Sequence, residues 1–224
     1  MQKILITALV AGIVAGFLSF LVQSAKLNPL ILQAETYEQN APAEQGAGHE
    51  HNTNSHEHDS EAWAPEDGFE RDAYRLLTDI GMGVGFALIM VGFFVLRNDN
   101  MNMDKGILWG VAGFATFSLA PSFGLPPELP TTLAAELQAR QIWWVATVLA
   151  TAFGLYAMVF NKNSIVKIIA AAIIAIPHMI GAPQAPLGGI VPTELNAQFA
   201  AASIGSMALF WLALGAVSGW LYGK

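Results

Sequence analysis

Four stretches of this chain, residues 4–22, 107–125, 142–160 and 199–222, contain no charged residue, and a fifth, 76–96, contains only Asp79. A helix that crosses a bilayer needs about 20 mostly apolar residues, because roughly 30 Å of hydrocarbon is covered at about 1.5 Å per residue. Nothing else in the sequence limits the fold so sharply. A sixth stretch, 168–182, holds 15 residues and includes Pro177 and His178. It reaches spanning length only if Lys167 snorkels and extends it to Ile165. The expectation is an all-α integral membrane bundle of six transmembrane helices, or five if 168–182 is re-entrant. Lys3 before the first stretch resembles the start of a signal peptide. The 19 apolar residues after it exceed the roughly 7–15 of a signal h-region, so the stretch reads as an uncleaved anchor in the lipid bilayer.

Charge divides the chain unevenly. Residues 26–75 hold 11 of the 17 acidic residues and only 3 of the 10 basic ones, giving that segment a net −8 and the remainder +1. The reading is of three parts: a first transmembrane helix over 1–25, a long disordered acidic loop over 26–75, and a membrane bundle over 76–224. That bundle has four or five helices, with proline-rich outer loops at 121–130 and 183–195. The overall charge of −7 argues against nucleic acid as a partner, and the absence of Cys excludes disulfide frameworks, iron–sulfur clusters and thiol nucleophiles. Positive residues favour the cytoplasmic side. With six spans, Lys3, Arg97, Lys105, Lys162, Lys167 and Lys224 fall on one side, and the short loops opposite carry only Arg140. Both termini are therefore expected inside and the acidic loop outside. Trp143 and Trp144 then fall at the outer interface, and Trp109, Tyr156, Trp220 and Tyr222 at the inner one. Glycines four apart, Gly12/Gly16, Gly81/Gly85, Gly106/Gly110 and Gly215/Gly219, are expected on helix-packing faces.

The acidic loop carries His49, His51, His56 and His58, four of the five histidines, in two His-Glu-His triplets. Imidazole and carboxylate are ligands for borderline divalent ions such as Co²⁺, Ni²⁺ and Zn²⁺, and without Cys or Met in the loop a Cu⁺ site is disfavoured. The expectation is a loose multi-site metal trap, weighed against a merely solvated acidic tether.

Within the spans, two residues stand out. His178 follows Pro177, which should free a carbonyl one turn earlier; the histidine either faces an ion pathway or bonds to that carbonyl. A lone intramembrane histidine also excludes the paired axial ligands of a di-haem protein. Asp79 reads either as a pathway carboxylate or as a helix-start acid favoured by the macrodipole. The two proline loops share an order of Ala-Pro, glycine, then Pro-x-Glu-Leu, which places Glu128 and Glu194 at the start of the next segment in each case. His178, Asp79, Glu128 and Glu194 all fall near the outer face, so a shared vestibule is one reading, and four unrelated residues the other.

No P-loop, G-x-S-x-G, H-E-x-x-H or G-x-G-x-x-G occurs. The chain reads as no enzyme, with no covalently bound cofactor. Pro121-Ser-Phe-Gly-Leu-Pro-Pro-Glu-Leu-Pro130, followed by Arg140-Gln141-x-Trp143-Trp144, resembles the signature of the CbtA family of predicted cobalt transporter subunits. Pro177-His178-x-x-Gly181-Ala182-Pro183 and the His-rich loop are similar to the same family. The resemblance implies a bacterial inner-membrane protein linked to cobalamin biosynthesis, acting with a small one-helix, His-containing CbtB-type partner. A permease or permease subunit for Co²⁺, or else for Ni²⁺ or Zn²⁺, is the leading expectation. A membrane-tethered metal sensor or accessory protein is the alternative.

Overall fold

The computed structural model describes residues 1–40, 65–66, 68–97, 100–130, 132–186 and 188–224. Among these, every regular element is helical: α1 Gln2–Lys26, α2 Asn28–Gln39, α3 Phe69–Arg97, α4 Met103–Phe114, a π-helical turn Ala115–Leu119, α5 Ala120–Ser122, α6 Leu137–Phe160, α7 Ser164–Ile180 and α8 Thr193–Gly223. Helices α1, α3, α6 and α8 are each long and apolar enough to cross a membrane, while α7 is shorter, at 17 residues. The uncharged stretch 107–125 is also helical as far as Ser122. Backbone runs unbroken from Met103 through the π turn to Ser122, about the length a span requires.

The burial pattern inverts that of a water-soluble protein. Small residues such as Ala8, Ala11 and Ala15 line the interior, whereas Leu5, Leu9 and Ile13 on the same helix face outward. Large apolar side chains on the periphery suit hydrocarbon as solvent, and small ones inside let backbones approach. Two glycine seams result. On α1, Gly12 and Gly16 lie against the backbone of α3 at Gly83, Val84, Asp79 and Ile80. On α4, Gly106 and Gly110 lie against Trp211, Gly215 and Gly219 of α8. Three of the four glycine pairs therefore pack as expected. Gly81 and Gly85 do not: both face open space, and Gly83 between them meets Gly12 instead. A residue one step along a helix is turned by about 100°, so sequence spacing finds the pair but not the face.

The described ends of segment 26–75 are helical. Leu27, Leu30, Ile31 and Ala34 form a stripe at helical spacing, and α2 lays it on Leu129, Leu195 and Phe199. At the other end, α3 begins at Phe69, well before the first uncharged residues. The four loop histidines His49, His51, His56 and His58 lie outside the described residues.

The helix ends sort by charge. Lys3 lies over the Tyr222 ring, Arg97 over Phe160 and Lys224 over Trp220, with cation–centroid distances of 5.2, 4.0 and 3.5 Å. These contacts gather Lys3, Arg97 and Lys224 at one end of the bundle. The proline loops, α2 and Arg140 gather at the other, the proline-loop end.

Candidate functional site

Three polar arrangements occupy the proline-loop end. The first lies between α1 and α3. Asp79 sits ten residues into α3, and the first-turn acids are Glu70 and Asp72, so Asp79 does not cap that helix. Its carboxylate accepts from Gln23 Nε2, at 3.2 Å to each oxygen, and the same amide donates to Ser19 Oγ at 2.8 Å. Gly12, Gly16, Ser19 and Gln23 succeed one another on one face of α1, so the glycine seam continues upward as a polar seam. Burial of a carboxylate in a span is costly unless it is hydrogen-bonded, and Gln23 supplies that bond as a neutral partner. One turn above, Arg75 donates to Asn28 Oδ1 and Ser24 Oγ, both at 2.6 Å, with its guanidinium 5.1 Å from the Phe20 ring centroid. This fork joins α3 to the α1–α2 elbow.

The second arrangement is a clasp on α6 and α7. Trp143 Nε1 donates to the Pro177 carbonyl at 3.1 Å, and the Gly181 amide donates to the same oxygen at 3.1 Å. Gly181 ends α7 at φ +90°, a conformation costly for any side-chain-bearing residue. His178 stands edge-on to Trp143 and Phe123, with ring centroids 5.8 and 6.1 Å away. The Pro177 carbonyl thus takes its side-chain bond from Trp143, and it is not the carbonyl one turn earlier for which the histidine was one expected donor. Trp143 is buried and only Trp144 is part-exposed, so of the two expected interfacial tryptophans one serves as a core strut.

The third is a cleft of about 830 Å³ between the proline loop and the first turns of α6. Pro121 explains its floor. Proline lacks an N–H and its ring collides with the carbonyl four residues back, so the preceding helix widens into the π turn Ala115–Leu119. Trp211 Nε1 donates to Ser118 Oγ at 3.1 Å within that turn, and Ser122 Oγ donates to the Ser118 carbonyl at 2.6 Å. Glu128 on the loop pairs with Arg140 on α6, Oε2 to Nη2, at 3.4 Å. Glu136 caps α6, its carboxylate accepting from the Gln138 and Ala139 amides at 2.8 and 2.6 Å. Those two amide bonds hold its carboxyl below the ordinary glutamate range.

The four vestibule residues are not brought to one point. Asp79 belongs to the α1–α3 seam and His178 to the α6–α7 clasp, and α7 packs chiefly on α6. Glu194 is exposed in the first turn of α8. Its neighbours tie it to the loop: Leu195 packs with Leu129, and Thr132 Oγ1 donates to Asn196 Oδ1 at 3.0 Å. The proline loop is the common neighbour, with Phe123 and Gly124 against His178, Trp143 and Ala182, and Leu129 against α2 and α8. Among the described residues no three His, Asp or Glu side chains assemble as a metal-binding group. Sequence reasoning missed Gln23, Ser19, Arg75 and Ser118; the first two were legible as an extension of the α1 glycine spacing.

Comparison with curated proteins gives no match, and neither does comparison with solved structures. Over residues 1–223, however, the chain matches the family described as probable cobalt transporter subunit (CbtA). This whole-chain match, which takes in the motif residues of the cleft and the clasp and the span-length apolar helices, places the protein in the CbtA family of probable cobalt transporter subunits.

Proposed function

We propose that the chain is a permease or permease subunit that carries Co²⁺ across the bacterial inner membrane. The match to a cobalt transporter family over residues 1–223 carries this reading. The geometry supports it through Asp79, a carboxylate at span depth whose side-chain hydrogen-bond partner, Gln23, is a neutral amide. A simple anchor has no use for such a group. His49, His51, His56 and His58 raise the local metal concentration outside, with Ni²⁺ and Zn²⁺ as competitors for the same imidazoles. Asp79 and His178 act at separate stations along the path, with Glu128 and Glu194 at its mouth. The chain crosses the membrane six times, both termini lie in the cytoplasm, and the His-rich loop lies in the periplasm. It works with a small one-helix, His-containing CbtB-type subunit in supplying cobalt for cobalamin biosynthesis, and is not itself an enzyme.

Radiolabelled cobalt uptake into cells expressing the chain, with and without that partner, tests the proposal, with nickel and zinc as competitors. Uptake should rise only when the chain is present, and Asp79→Asn should abolish it at unchanged protein level. Deleting residues 49–59 should weaken uptake at scarce cobalt and spare the maximal rate. If uptake vanishes at saturating cobalt too, the loop belongs to the path itself. Single cysteines at 55, 127 and 190 should react with an impermeant maleimide from outside, and those at 100 and 163 should not. Labelling at 127 without labelling at 190 would reduce the span count to five. The alternative is a metal-binding accessory protein that transports nothing. It predicts cobalt binding with no uptake in any of these cells.

A further inference from the structure

We infer that the cleft beside the proline loop receives the cation with its water shell intact, and that Glu128 takes it up by exchanging Arg140 for the metal. The inference rests on the proposed transport function for the identity of its cargo. Its own support is the shape and chemistry of the cleft. A divalent ion with six waters occupies about 200 Å³, at roughly 30 Å³ per water, so the cleft of about 830 Å³ admits it without dehydration.

The lining offers oxygen at both ends. Glu128 stands on the loop wall, Gln141 on the α6 wall, and Ser118 and Ser122 on the floor. The floor hydroxyls are fixed by their bonds to Trp211 and to the Ser118 carbonyl, and each oxygen keeps a lone pair for a water hydrogen. Carboxylate, hydroxyl and amide oxygens suit a hydrated divalent ion, and a single carboxylate holds it weakly enough to pass on.

Arg140 does not turn the cleft into an anion site. The guanidinium already occupies Glu128, so it is not free to collect an anion, and it stands where a metal would stand. Both side chains remain part-exposed, at 32% for Arg140 and 24% for Glu128, so the pair is the weak kind that a doubly charged ion can displace. Without an ion the loop is latched to α6; with one, the latch opens and the carboxylate changes partner.

The test uses the full-length chain and reads the cleft through a thiol placed in it, because metal held by the loop histidines does not shield that thiol. Ala134 lines the cleft, and the protein has no cysteine, so Ala134→Cys provides a single thiol there. Co²⁺ alone should slow its reaction with maleimide, half-maximally at a defined concentration. Glu128→Gln should raise that concentration about tenfold or more, as loss of a supporting carboxylate commonly does. Arg140→Gln should lower it about three- to fivefold, the scale of one exposed ion pair. The double variant, with no charge left unpaired, should melt as the parent does yet lose protection. Protection that survives Glu128→Gln, or that weakens in Arg140→Gln, overturns the exchange. Protection that depends on Glu128 in a chain that takes up no cobalt keeps the cleft and removes the transport reading. Normal uptake by Glu128→Gln, with protection unchanged, does the reverse.

Discussion

The α1–α3 and α4–α8 seams and the α6–α7 hairpin are built on opposite principles. In the seams, backbone meets backbone: a methyl on Gly106 would run into Gly215, and one on Gly12 into Val84. No side chain stands between them that could adopt a second rotamer, so these contacts have one arrangement. The hairpin is held by side chains. Ile174 fills the space over Gly154, Trp143 reaches to the Pro177 carbonyl, and Glu128 reaches to Arg140. Hairpin and core communicate mainly through the π turn, α5 and the proline loop. In the transporter proposed above, the seams would supply the fixed frame and the hairpin the part that moves against it.

The sharpest way to break this contrast is to widen a seam. Gly106→Leu or Gly215→Leu should strip the protein from the membrane fraction, since the colliding atoms are backbone and cannot yield. Gly81→Ala and Gly85→Ala should leave protein levels intact and raise thermal stability by up to about 1 kcal/mol, because Ala is the better helix former and the space is open. A fall in both sets alike would refute the assignment of Gly83 to the seam.

On the hairpin side, Pro121→Ala restores an amide and removes the ring collision, so the helix can tighten through 115–119. Melting in detergent should stay within about 1–2 kcal/mol of the parent or rise, while cobalt uptake falls. A variant that transports normally would show that the π turn has no part in the path. Trp143→Phe keeps most of the buried area and loses the bond to Pro177, a cost of about 0.5–1.5 kcal/mol, whereas Trp144→Phe should cost less.

The smallest effect belongs to Glu136. Its folded carboxyl is held below the ordinary range by two amides, so its stabilisation is full above the ordinary glutamate pKa. That stabilisation is lost as pH falls through the lower folded value. Glu136→Gln should therefore melt slightly earlier than the parent near neutral pH, and the gap should close in acid. A gap that widens in acid would contradict the cap.

Much of the scaffold was legible from charge and hydropathy, because a segment without charge over about 20 residues has few places to go except hydrocarbon. The uncharged stretch 107–125 was legible from composition, and it is helical as far as Ser122, although the helix changes winding midway. The amphipathic stripe of α2 was equally present in the sequence, but the acidity of its surroundings concealed it. The candidate site was less legible. The proline motif marked Glu128 and Arg140 as belonging together, yet nothing in their spacing of 12 residues says that they pair.

What the sequence determined, then, was solvent: which helices face lipid, which ends carry the bases, and where proline forbids an ordinary turn. Those properties belong to single residues and their near neighbours, and survive without knowledge of the fold. The tertiary structure alone decided which face of each helix is inward, and so whether Gly81 or Gly83 touches α1. It also decided that Trp143 turns in while Trp144 turns out, and that Asp79 meets Gln23 while His178 meets aromatic edges. Each of those outcomes depends on a rotation of about 100° per residue, which hydropathy averages away and only a packed neighbour fixes.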